Sequence, residues 1–66
     1  MRFRTAKKLH SGDEVTVSRD RLGAPDYEGP ARVSSVEVDR ELGEVFLDLV
    51  APDGQHVRRV SHVHVR

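Results

Sequence analysis

The residues whose type and spacing come nearest to chemistry are the C-terminal histidines. His62 and His64 alternate with Val63, so on an extended chain their imidazoles fall on one side, and His56 and His10 could approach from neighbouring segments. Neutral imidazoles so placed can bind zinc or nickel when Asp or Glu completes the shell. A structural site wants four ligands, and only the His62/His64 pair has ligand spacing, so no metal is assigned. The histidines read instead as solvated or edge-protecting side chains. Ser61 adjoins His62, but nothing marks an activated nucleophile or an oxyanion hole. The carboxylates are scattered over strand exteriors rather than converging, and a chain of 66 residues struggles to enclose a substrate. No catalytic residue and no cofactor are assigned, and the chain reads as non-enzymatic.

Two kinds of binding chemistry remain. Basic residues crowd the first eight positions at Arg2, Arg4, Lys7 and Lys8, and recur at Arg58, Arg59 and Arg66. Acidic residues dominate between them, at Asp26, Glu28, Glu37, Asp39, Glu41, Glu44 and Asp48. The formal net charge is zero, which argues against a uniformly basic surface and for two electrically different sides. If the chain ends lie side by side, Arg2, Arg4, Lys7, Lys8, Arg58 and Arg59 would track the phosphates of RNA or DNA without reading sequence, and salt would weaken the contact steeply. The alternative is a solubilising surface, or charges guarding strand edges. The second chemistry is apolar: Tyr27, Phe46 and Val50 fall where strands or loops would leave them facing outward, as sites for a protein partner or a second copy.

Strands must position these residues. Glu14-Val15-Thr16-Val17-Ser18 alternates apolar and polar after the turn signal Ser11-Gly12-Asp13, and predicts a half-buried strand with Val15 and Val17 inward. Residues 19–30 carry Gly and Pro without periodicity and predict a long loop. Gly29 to Asp39 predicts the strand that organises the fold. Ala31 and Val33 share one parity while Val36 and Val38 share the other, so a bulge or bend at Ser34-Ser35 is needed to turn both pairs inward. Such a bend lets one strand serve two sheets, as at the corners of small barrels. Glu44 to Val50 follows, with Val45, Leu47 and Leu49 inward and Phe46 and Val50 outside, needing cover from the N-terminal segment or a partner. Asp53-Gly54 signals a hairpin turn, His56 to Val60 a fourth strand, Ser61-His62-Val63 a helical turn, and His64-Val65-Arg66 a closing strand. Phe3, Ala6 and Leu9 recur every third residue, which fits a helical turn within residues 1–10, too short to stand alone.

The pattern predicts an all-β fold, a small five-stranded barrel over residues 11–66 with a long loop after the first strand, preceded by a basic arm at residues 1–10. Over Gly12-Asp13-Glu14-Val15-Thr16-Val17, Glu28-Gly29-Pro30-Ala31-Arg32-Val33-Ser34-Ser35-Val36 and Val45-Phe46-Leu47 the chain resembles the SH3-like barrel superfamily, and within it KOW-type and Tudor-like modules. The Val33-x-x-Val36 spacing fits the KOW pattern, while Ala31 stands where that pattern has Gly. The resemblance implies an SH3-like barrel, and partners that are RNA and the ribosomal or transcription machinery for KOW modules, or peptides and methylated side chains for the others. With Phe3, Tyr27 and Phe46 as the aromatics, no methyl-lysine cage can be assigned.

Absent cysteine excludes disulfides and thiolate metal sites. The N-terminus lacks the apolar core of a signal peptide and no apolar run reaches membrane length, so a soluble cytoplasmic protein is expected. Arg outnumbers Lys, as in GC-rich bacterial genomes, which is an association and not physics. The reading is a non-enzymatic binding module for a protein partner or itself, with RNA or DNA binding through the basic ends as the alternative.

Overall fold

The computed structural model describes all residues from Met1 to Arg66. A short helix α1 (Phe3–Ala6) is followed by four strands, β1 (Glu14–Val17), β2 (Gly29–Asp39), β3 (Glu44–Val50) and β4 (His56–Ser61), and by a 3-10 turn at His62–His64. The strands form one open antiparallel sheet in the order β1-β2-β3-β4. The expected fifth strand is reduced to a single bridge, Val17↔Val65, because the 3-10 turn takes His64 and leaves two residues to extend. Those residues still pair with β1: Thr16 N–H donates to the Arg66 carbonyl at 3.2 Å and Arg66 N–H to the Thr16 carbonyl at 2.8 Å.

Alternation decides which side chains enter the core. Val45, Leu47 and Leu49 of β3 are buried while Phe46, Asp48 and Val50 between them are half-buried on the other face. On β2, Ala31 and Val33 are buried, the register slips between Val33 and Ser35, and Val36 and Val38 then turn to the same core. The extra residue opposite β3 is what lets one strand keep both apolar pairs inside. β4 does the same. Val57 pairs with Leu49 and Val60 with Leu47, so Arg58 and Arg59 together oppose Asp48. Leu47 and Leu49 have no exposed surface, and truncating either to Ala would cost about 2–5 kcal/mol, comparable with the whole stability of so small a domain, ~5 kcal/mol.

The N-terminal residues, expected as an arm, are packed against the body. Ala6 is fully buried, and Met1, Phe3 and Leu9 lie against the same core. The every-third-residue spacing of Phe3, Ala6 and Leu9 puts all three on one side of the turn, and tertiary packing holds a helix too short to persist by itself. The Phe3 ring meets His62 edge-on with centroids 6.1 Å apart, and the Met1 ammonium donates to the Val65 carbonyl. His62 is buried, and its Nδ1 accepts the Val45 N–H at 3.2 Å. The long loop between β1 and β2 closes at Gly29, whose φ of +128° disfavours any side chain. There the Tyr27 hydroxyl donates to the Pro30 carbonyl at 2.6 Å. No helix is long and apolar enough to cross a membrane.

Candidate functional site

The outward rows of the sheet, β3 at their centre, form the candidate site. Register sets the rows: Arg32, Val50 and His56 lie side by side, then Ser35 and Asp48, then Glu37, Phe46 and Ser61. Phe46 and Val50 are four residues apart on one strand, so they stand roughly 13 Å apart on one face. Asp48 stands between them and is the polar pin of the surface. Its Oδ2 accepts the Ser35 hydroxyl at 2.9 Å, and its Oδ1 accepts the Arg59 N–H at 2.9 Å. Each strand neighbour of Asp48 therefore presents its bulge to one oxygen of the same carboxylate. The Arg59 N–H first and the Ser35 hydroxyl second hold the Asp48 carboxyl below the ordinary carboxylate range; burial opposes them, and the charges of Arg58 and Arg59 add weaker support.

Arg59 is the one non-glycine residue with positive φ, at 53°. The left-handed conformation costs an L-residue about 1–2 kcal/mol, and Asp48 fixes it from the backbone side. The side chain that results stands over Phe46, its guanidinium carbon 4.3 Å from the ring centroid, and its Nη1 reaches Glu37 Oε2 at 3.4 Å. Phe46, Arg58, Arg59, Glu37, Asp48 and Ser35 line a depression on this face. A second, more apolar depression surrounds Val50, lined by Pro30, Ala31, Ala51 and Pro52 with Glu14 and Arg32 at its rim, the latter two paired at 3.4 Å.

The expected interaction residues are thus brought together in part. Phe46 and Val50 share the outer face, and α1 does not reach them because Ala6 and Phe3 go to the core side. Tyr27 stands apart, half-buried and bound to Pro30 at the margin of the Val50 depression. The expected nucleic-acid residues divide. Arg58 and Arg59 are exposed on the outer face beside Glu37 and Asp48, whereas Arg2, Arg4, Lys7 and Lys8 are exposed on α1 and its flanks, on an element that packs into the core from the other side. Asp48, Ser35 and the left-handed Arg59 are the functional-looking features that sequence reading did not single out. A signal existed: Val57 and Val60 are three apart, the same parity conflict that locates the β2 bulge.

The histidines do not converge. His62 Nδ1 is taken by Val45, His64 is buried with its Nδ1 unpaired, and His10 and His56 are exposed. No group of three or more His, Asp or Glu side chains is arranged to hold a metal ion.

No protein-family model matches the chain, and no curated protein or solved structure does.

Proposed function

We propose that the chain is a cytoplasmic, non-enzymatic binding module, an SH3-like small barrel in topology, whose outer sheet face receives a protein partner, and that a second copy of the chain is that partner. The barrel reading is supported by the meander of four strands, the 3-10 turn after β4 and the return of Val65 to β1. The non-enzymatic reading is supported by the way hydroxyls and imidazoles are used: Ser35 and Ser61 donate to carboxylates, and His62 Nδ1 accepts a backbone N–H.

The observation that carries the binding reading is Arg59, a non-glycine residue held left-handed on an exposed strand so that its guanidinium lies on Phe46. Backbone strain persists where surrounding structure over-determines it, and such sites cluster where a surface is used. Phe46 and Val50 lie outside the core cluster and are left half-buried by their own chain. In the Phe46 depression two carboxylates, Glu37 and Asp48, face two guanidinia, Arg58 and Arg59. A two-fold related copy therefore meets charges it can match, as isologous contacts require. A domain of this size buries a modest share of its surface alone and gains from pairing.

The test is sedimentation velocity over a concentration series for the wild type and for Phe46→Ser. A concentration-dependent dimer that the substitution shifts to monomer supports the reading. A wild type that stays monomeric throughout, or a dimer indifferent to Phe46→Ser, contradicts it.

A further inference from the structure

Four cations on α1 and its flanks are left unused by the outer face. Arg2, Arg4, Lys7 and Lys8 are all exposed, and none lies within ion-pairing distance of a carboxylate; Arg19, Arg32, Arg59 and Arg66 are each paired, and the other unpaired arginines, Arg21, Arg40 and Arg58, lie on other segments. The first acidic residue in the chain is Asp13, and one oxygen of its carboxylate accepts the His10 N–H. The turn that carries the cations is docked on the body. Ala6 is fully buried, successive backbone bonds run from Ala6 to Arg2, Lys7 to Phe3, Lys8 to Thr5 and Leu9 to Ala6, and the Lys7 ammonium stands 5.7 Å over the Phe3 ring. Arg4, Lys7 and Lys8 have the spacing that puts side chains on one side of a helical turn, the side opposite Ala6.

We propose that this docked turn is an electrostatic site for the phosphate backbone of a nucleic acid, formed by Arg2, Arg4, Lys7 and Lys8 without Arg58 and Arg59. Four cations on a convex, exposed turn offer no cavity for a discrete ligand, but a polymer carrying a charge at every unit can meet all of them at once. A membrane surface fits less well, because interfacial helices need apolar side chains beside their cations, and here Phe3 and Leu9 are turned into the core. Arg58 and Arg59 do not join the site: they share the other face with Glu37 and Asp48, which offset their charge. The contacts read no sequence, since nothing on the turn is shaped to reach base edges. The site is independent of the outer face, so the two proposals stand or fall separately.

The experiment is fluorescence anisotropy of a labelled mixed-sequence oligonucleotide, single-stranded and duplex, titrated with the whole chain at several salt concentrations, with anionic phosphatidylserine vesicles in parallel. If all four cations meet phosphates, log K falls against log salt with a slope of about −3.6 on duplex and about −2.8 on single strands, which is roughly 150-fold in duplex affinity between about 50 and 200 mM salt. The R2Q/R4Q variant, whose side chains are exposed and make no hydrogen bond or ion pair with the fold, should lower the duplex slope by about 1.8, and K7Q/K8Q should do likewise. R58Q/R59Q and Phe46→Ser should leave it unchanged. Absence of salt-dependent binding, a slope indifferent to R2Q/R4Q, loss of binding in R58Q/R59Q, or binding to vesicles without binding to oligonucleotides would each overturn the proposal.

Discussion

The carboxylate of Asp48 accepts the backbone N–H of Arg59 at 2.9 Å, and this bond joins the one strained residue of the sheet to its centre. Since the other oxygen holds Ser35, a single side chain fastens both bulges that turn β2 and β4 inward. Asp48→Ala should therefore destabilise the domain by about 1–2 kcal/mol, the cost of leaving a donor without its partner on a partly solvated surface. Asp48→Asn, which keeps an acceptor for Arg59, should cost less. Urea denaturation of the two variants measures both.

Acid should weaken the same fastening. The carboxyls of Asp48 and Asp20 are both held below their ordinary value of 3.8, Asp48 by Arg59 and Ser35 and Asp20 by Ser18 and Arg66. A depressed folded-state pKa gives stability that is present above the unfolded value and lost as pH falls through the folded one. Denaturation midpoints should hold steady above about pH 5 and decline below about pH 4. Part of that decline should disappear in Asp48→Ala.

Arg59→Gly separates strain from use. Glycine adopts positive φ freely and would return about 1 kcal/mol of backbone strain, while losing a cation–π contact of about 0.5–1 kcal/mol and an exposed ion pair that contributes little. Stability should change by less than about 0.5 kcal/mol, yet the Phe46 surface is altered and self-association should weaken. Equal dimerisation of wild type and variant in sedimentation would remove Arg59 from the proposed interface.

The core end of the 3-10 turn rests on His62, whose Nδ1 satisfies the buried Val45 N–H. His62→Ala leaves that donor unpaired and opens space beside Phe3, and should cost about 2–4 kcal/mol. His62→Gln, which can present an acceptor, should recover part of the loss in the same denaturation assay.

How far these features could be read from residues follows from where the information sits. The β2 bulge was legible because Ala31 and Val33 conflict in parity with Val36 and Val38, and each strand of the meander announced itself by alternation and turn signals. The β4 bulge obeys the same arithmetic at Val57 and Val60, but two arginines between them read as surface charge rather than as an inserted residue. Asp48 looked like any outward polar residue of β3. Its role depends on what two other strands place beside it, which alternation along one strand does not encode. The docking of residues 1–9 had a trace in the Phe3, Ala6 and Leu9 spacing, while the separation of their cations from Arg58 and Arg59 depends on which side of the sheet α1 takes. The helical turn expected at Ser61-His62-Val63 lies one residue further on, at His62–His64, and by taking His64 it shortens the expected closing strand to the bridge at Val65.

The most direct measurement of the central claim is an amide-shift dilution series of the labelled chain, followed from high to low concentration. If a second copy docks on the outer face, concentration-dependent shifts should gather at Ser35, Glu37, Phe46, Asp48, Arg58 and Arg59 and leave Arg2, Arg4, Lys7 and Lys8 still, and Phe46→Ser should abolish them. Shifts that do not move with concentration, or that gather on α1 instead, would contradict it.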